Sequence, residues 1–139
     1  MYNQRVETIS YAQNQEDVLL SLALHDVEQG FYVDIGASHP EVDSVTKYFY
    51  ERGWFGINVE PTQESFDRFL KERPRDTNLK VAIGSKNEIT RVYLSNILGR
   101  HSLLIQNADH LGHSPGFETV EMFTLETLFN NHLNQNQIY

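Results

Sequence analysis

The stretch FYVDIGASHP, residues 31–40, decides the fold class because it joins a short apolar run to an abrupt turn. The run is aromatic and β-branched and it ends at Gly36, which predicts a buried strand followed by a tight turn. A second short strand, GINVEP at residues 56–61, follows after one helical segment. This order of segments favours an α/β domain.

The segments around these two strands continue the alternation. Residues 43–54 and 62–73 carry apolar side chains at helical spacing, and residues 79–85, LKVAIGS, form a third strand pattern. A strand, helix, strand, helix, strand order predicts a parallel sheet. Residues 10–27 have the pattern of a further helix in front of it.

The pattern changes after the third strand. Residues 90–95 follow a short turn that contains Lys86 and Asn87, which indicates a hairpin extension. A loop, a strand and a short helix are predicted at residues 96–117, 117–123 and 124–133. The length of 139 residues predicts one domain over residues 1–139.

Composition excludes several classes of function. The net charge of −8 disfavours nucleic-acid binding, and the basic cluster of Lys71, Arg73 and Arg75 is interpreted as a solvated helix end. The chain has no cysteine, so disulfides and cysteine-based sites are excluded. Since no apolar run reaches transmembrane length and the N-terminus has no signal core, we expect a cytoplasmic protein without a membrane partner.

Two carboxylates follow the first two strands. Asp34 and Glu60 lie near carboxyl ends of neighbouring parallel strands, so both side chains are expected to face one crevice. A carboxylate at the end of the second strand is suited to ribose hydroxyls, and Gly36 permits close approach of a ligand. The alternative to a ligand site is that each residue has only a structural role. Asp34 then caps the next helix, Gly36 forms a turn, and Glu60 is solvated.

The turn after Gly36 restricts the ligand. The later glycines of a dinucleotide-binding loop are missing, and Pro40 has no N–H group. Both features argue against a pyrophosphate at this turn. An adenosine cofactor without phosphates, such as S-adenosylmethionine, makes weaker demands on it.

The chain resembles the FkbM-type family of S-adenosylmethionine-dependent methyltransferases. The resemblance rests on SYAQNQEDVLL, FYVDIGASHPEVDSVTKYFYERGWFGINVEP, RPRDTNLKVAIGS and VEMFTLETL, at residues 10–20, 31–61, 73–85 and 120–128. It implies a Rossmann-like three-layer sandwich that binds S-adenosylmethionine. It also implies methylation of a hydroxyl group on a small molecule, sugar, glycan or natural product.

The resemblance also assigns residues to the cofactor site. The residues that it implies are Gln13, Asp17, Asp34, Gly36, Ala37, Ser38, Ser44, Thr46 and Glu60. His39 is a candidate general base beside the cofactor, or alternatively a turn residue that packs on Pro40. GRHSLL, residues 99–104, lies where the family has a run of glycine, serine and threonine, and Ser102 fits that run loosely.

One departure from the family concerns the end of the chain. Family members continue with a strand similar to LKIDVEG, whereas this sequence ends at Tyr139. A domain truncated there is expected to leave the first strand at a sheet edge, which predicts a homo-oligomer that covers the edge. The alternative function is then a non-catalytic oligomerising or binding module derived from the same fold.

The remaining histidines predict no metal site. His110 and His113 lie three residues apart, with His101 and Asp109 nearby, but Gly112 disrupts a helical arrangement. This segment is interpreted as a polar loop.

Overall fold

Helices and strands alternate along the first half of the chain in the computed structural model, which describes residues 9–95, 101–104 and 116–133. The elements are α1 Glu16–Ala23, β1 Phe31–Ile35, α2 Lys47–Glu51, β2 Phe55–Val59, α3 Gln63–Glu72, β3 Thr77–Leu79, β4 Val81–Ile83, β5 Glu88–Tyr93, β6 Phe117–Phe123 and α4 Leu125–His132. The predicted α/β class is therefore confirmed. The helices α1 and α2 are shorter than the sequence pattern predicts.

The first sheet has the order β1-β2-β3, and both pairs are parallel. In the register of β1 and β2, Phe31 lies opposite Phe55 and Ile35 lies opposite Val59. The predicted parallel sheet is confirmed, and α2 and α3 each return the chain to the starting edge before the next strand begins. The carboxyl ends of β1 and β2 therefore lie side by side. The single third strand predicted at residues 79–85 is wrong: that range holds the last residue of β3 and all of β4, which belong to different sheets.

The second sheet corrects the predicted hairpin. Its order is β4-β6-β5, so β6 lies between the two strands that the sequence pattern pairs with each other. The turn between β4 and β5 contacts the start of the last helix, α4. Asn87 Oδ1 accepts a hydrogen bond from the Thr124 N–H, and Asn87 Nδ2 donates to Thr127 Oγ1. These contacts bring the end of β6 beside β4, and β5 pairs antiparallel with β6 instead.

The two sheets are joined because only Lys80 separates β3 from β4. One core cluster spans the junction and contains Ile57, Val59, Val81 and Leu128. Leu128 is fully buried and comes from α4, whose first turn is capped by Thr124 Oγ1 accepting the Thr127 N–H at 3.1 Å. The helix α4 therefore covers one face of the first sheet.

Polar side chains cover the opposite face of that sheet. Side chains alternate across a strand, so Tyr32 and Asn58 point away from the face that α4 covers. Both contact Asp76, just beyond α3, and Arg73 at the end of α3 contacts Tyr32. Helices and their flanking residues thus lie on both faces.

Within the described ranges, β1 pairs with β2 on one side only. The oligomer expected from this edge stays a prediction. The described helices include none that is both long enough and apolar enough to cross a membrane.

Candidate functional site

The turn after β1 is held by backbone amides that donate toward β2. Gly36 has a φ of +73° and its N–H donates to Val59 O at 2.9 Å, while the Ala37 N–H donates to the same oxygen at 3.2 Å. Ser38 also adopts a left-handed backbone, with a φ of +59°, and its N–H donates to Glu60 Oε2 at 2.9 Å. Left-handed φ is uncommon for a residue with a side chain, so the Glu60 contact holds an unfavourable backbone conformation.

Glu60 joins this turn to the start of α3. Its other carboxylate oxygen, Oε1, accepts from Thr62 Oγ1 at 2.8 Å and from the Thr62 N–H at 3.2 Å. The residue is only 5% exposed. A carboxylate offers about four acceptor positions, and the three bonds observed leave one on Oε2. Glu60 can therefore accept one hydrogen bond from a ligand without releasing the turn.

A small cavity opens where these groups meet. It has a volume of about 90 Å³ and is lined by Gly36, Ser38, Glu60, Pro61 and His101. Drug-sized ligands commonly occupy cavities of about 300–1,000 Å³, so this cavity accommodates one polar group of a larger ligand. The structure thus brings three of the residues assigned by resemblance, Gly36, Ser38 and Glu60, around one space.

His101 is a member of this cavity that the sequence pattern did not identify. The Ser95 N–H donates to His101 Nδ1 at 3.0 Å. The neighbouring Ser102 forms an antiparallel bridge with Tyr93, through backbone bonds of 2.8 and 3.1 Å. The family-like stretch at residues 99–104 was the available signal, but it pointed to Ser102 rather than to the histidine beside it.

Arg73 contacts residues that follow the turn, and the interpretation of this residue as part of a solvated helix end is wrong. It is 2% exposed. Its guanidinium Nη2 donates to Pro40 O at 2.5 Å and to Ser44 Oγ at 3.1 Å, and Nη1 donates to Tyr32 Oη at 3.2 Å. A fixed fork of donors explains why arginine can hold three acceptors that come from separate segments.

Asp76 supplies the negative charge in this buried network. Arg73 Nη1 lies 3.8 Å from Asp76 Oδ2, and both side chains are nearly or fully inaccessible to solvent. Asp76 also accepts from the Gly56 N–H, Tyr32 Oη and Asn58 Nδ2, at 2.9, 2.5 and 2.8 Å. Burial and this carboxylate raise the pKa of Tyr32, so the phenol stays protonated and donates. The network connects β1, β2 and the end of α3 to Pro40 and Ser44, which follow the turn after β1.

Asp34 lines a different cavity from Glu60, so the prediction that both carboxylates face one crevice is wrong. Its cavity has a volume of about 360 Å³ and a mainly apolar wall that includes Leu20, Phe49 and Trp54. Thr46 Oγ1 donates to Asp34 Oδ2 at 2.8 Å. Burial raises the pKa of Asp34, and the bond from Thr46 and the Arg73 charge offset only part of that effect.

This raised pKa gives a testable pH dependence. Because the folded state holds the Asp34 proton more tightly than the unfolded state, wild-type stability falls as pH rises through the interval between the two pKa values. Asp34→Asn removes this loss and keeps an acceptor for Thr46. We therefore expect the variant to gain stability relative to wild type as pH rises above about 3.9, the ordinary aspartate pKa, until the folded-state pKa of Asp34 is passed, measured by urea unfolding.

Asp43→Asn is the matched control, because Asp43 is exposed and asparagine tolerates its left-handed φ of +54°. Unfolding of this variant shows how much the removal of an exposed aspartate changes the pH dependence of stability. A stability difference for Asp34→Asn that stays constant with pH, or that changes with pH no more than the difference for Asp43→Asn, would contradict the assignment.

The N-terminal residues assigned by resemblance have other surroundings. Gln13 is exposed, whereas Asp17 is fully buried. Asp17 accepts from Ser10 Oγ and the Tyr11 N–H, each at 2.7 Å. Burial raises the pKa of Asp17, but the hydrogen bonds outweigh it and the pKa lies below its ordinary value. Asp17 thus stabilises the start of α1.

The remaining assigned residues hold the turn rather than line the small cavity. Ala37 is buried, Ser44 accepts from Arg73, and Thr46 donates to Asp34. His39 Nδ1 accepts from two backbone amides, Glu41 N–H at 3.0 Å and Val42 N–H at 3.1 Å. That nitrogen is engaged in shaping the turn.

The histidine pair at 110 and 113 lies outside the described residues. Within the residues that are described, no group of three or more histidine, aspartate or glutamate side chains is arranged to hold a metal ion.

Comparison with known proteins places this site inside a family match. A family model described as Methyltransferase FkbM domain matches residues 34–139, which is most of the chain and includes Gly36, Glu60 and His101. The stretch at residues 10–20 precedes the matched range. No curated protein and no solved structure was found to match the chain.

Proposed function

Because the chain belongs to the FkbM-domain methyltransferase family, we propose that it binds S-adenosylmethionine at the carboxyl ends of β1 and β2. The observation that carries this proposal is the Glu60 carboxylate, which lines a small cavity together with the Gly36–Ser38 turn. The proposed reaction is methyl transfer to a hydroxyl group of a sugar, glycan or natural product. The proposed architecture is a Rossmann-like three-layer sandwich, supported by the parallel sheet with helices on both faces.

The residues around the cavity suit a ribose. Glu60 retains one acceptor position for a ribose hydroxyl, at the end of the second parallel strand. The cavity volume of about 90 Å³ fits one sugar ring rather than the whole cofactor. Gly36 exposes its backbone there, since nothing lies within 4 Å of the position that a side chain would occupy.

The same turn is unsuited to a pyrophosphate. A phosphate-binding loop needs backbone amides that point at the ligand. Here the amides of Gly36 and Ala37 donate to Val59 O, and the amide of Ser38 donates to Glu60. Pro40 has no amide hydrogen and its carbonyl is held by Arg73. An adenosine ligand without phosphates is therefore favoured over a dinucleotide.

The chain's contribution to the reaction is binding and orientation. S-adenosylmethionine, when bound, supplies an electrophilic methyl group. The turn and the Glu60 carboxylate hold the ribose, while the buried Arg73–Asp76 network keeps that turn in place. Positioning of this kind supplies a large share of catalysis in a transfer between two bound groups.

Calorimetric titration with S-adenosylhomocysteine tests the proposal. This product shares the ribose, adenine and amino acid groups of the cofactor, so we expect saturable heat with one site per chain. NADH, which has a pyrophosphate, should give none. Absence of heat with S-adenosylhomocysteine at millimolar concentration would overturn cofactor binding and favour a non-catalytic module.

A further inference from the structure

We propose that His101 contacts the cofactor, donating a hydrogen bond from Nε2–H to a ribose oxygen while Glu60 accepts from a ribose hydroxyl. This inference rests on the proposed function, because it assigns a second residue to the same ribose site. His101 and Glu60 line the same cavity, although they lie 41 positions apart in the sequence.

The tautomer of the ring follows from its backbone contact. A neutral imidazole has one donor nitrogen and one acceptor nitrogen. His101 Nδ1 accepts the Ser95 N–H at 3.0 Å, so in the neutral ring the proton is on Nε2. Nε2 has no partner in the described part of the chain, which makes it the polar atom of this ring that a ligand can use.

The ring is also held in place. Ser102, the next residue, exchanges two backbone hydrogen bonds with Tyr93 at the end of β5. Together with the bond from the Ser95 amide to the ring, these contacts hold His101 and Ser102 beside the end of β5. A donor held in this way loses little conformational freedom when a ligand binds.

The two groups have complementary hydrogen-bonding roles. The Glu60 carboxylate only accepts, and the His101 Nε2–H only donates. A ribose has two neighbouring hydroxyls, each of which can donate and accept. A vicinal diol can therefore satisfy both side chains at once. In the neutral Nε2–H form, His101 has no free basic nitrogen, so its role is to bind the cofactor and not to remove a proton.

Two substitutions distinguish the proposed Nε2–H donor from Nδ1, which accepts the Ser95 N–H. In His101→Asn, the side-chain oxygen replaces Nδ1 as the acceptor for the Ser95 amide, but the donor at the Nε2 position is lost. In His101→Gln, the amide nitrogen reaches the Nε2 position and keeps the donor. A neutral hydrogen bond contributes about 0.5–1.5 kcal/mol, which corresponds to about a two- to tenfold change in affinity.

We expect His101→Asn to weaken S-adenosylhomocysteine binding by about two- to tenfold in calorimetric titration, and His101→Gln to weaken it less. His25→Asn, at an exposed histidine paired with Asp26, is the control and should bind like wild type. In the free wild-type protein, long-range ¹H–¹⁵N spectra should show His101 as the Nε2–H tautomer.

Wild-type affinity in His101→Asn would overturn the His101 contact while leaving cofactor binding intact. A larger loss of affinity in His101→Gln than in His101→Asn would also overturn it. Binding would then depend on the Nδ1 contact with Ser95 rather than on the Nε2–H donor. The Nδ1–H tautomer would contradict it independently of any ligand. Absence of binding by the wild-type protein would overturn both this contact and the proposed function.

Discussion

Arg73→Met is expected to lower the free energy of unfolding by about 3–5 kcal/mol. Methionine fills much of the space of the arginine stem but leaves Asp76 as a buried charge without its cation. It also leaves Pro40 O and Ser44 Oγ without the donor that holds them. Urea unfolding at neutral pH measures the loss as a shift of the midpoint at unchanged slope.

Arg68→Met is the matched control, because Arg68 lies on α3, which ends just before Arg73, but pairs with Glu64 at the surface. Exposed pairs of this kind contribute about 0–1 kcal/mol, so this variant should unfold close to wild type. Equal midpoints for Arg73→Met and Arg68→Met would contradict a structural role for the buried network. A wild-type affinity for S-adenosylhomocysteine in folded Arg73→Met would show that the turn does not depend on Arg73.

Glu60→Gln is expected to weaken S-adenosylhomocysteine binding by about ten- to hundredfold. A hydrogen bond to a charged group contributes about 1.5–3 kcal/mol, and the neutral amide loses that charge. The amide also places a donor where the native side chain accepts from Ser38 and from Thr62, so one of these contacts is broken. Calorimetric titration of the folded variant measures the change.

Glu64→Gln controls for the loss of one negative charge near the start of α3, because Glu64 is exposed and pairs only with Arg68 among the described residues. It should bind the ligand like wild type. Unchanged affinity in Glu60→Gln would exclude the ribose contact. Equal losses in Glu60→Gln and Glu64→Gln would point to overall charge rather than to this contact.

The candidate site could be predicted only in part. The sequence pattern identified Gly36 and Glu60 because each directly follows a recognisable strand, and parallel neighbours end at the same edge. The family resemblance was confirmed by the match over residues 34–139. The basic residue at position 73 was misjudged because charge and position alone cannot distinguish a solvated arginine from one that meets several acceptors.

Local periodicity alone determined the first two parallel strands and the helices after them, since the spacing of apolar residues is a property of short segments. The range predicted as one third strand, residues 79–85, is divided between the two sheets. The tertiary structure decided which strands became neighbours in the second sheet, where Asn87 holds the turn against α4 and β6 enters between β4 and β5. It also decided that Arg73 is buried and that His101 reaches the cavity of Glu60. These features depend on hydrogen bonds and contacts between residues about 30 to 40 positions apart, which no local pattern specifies.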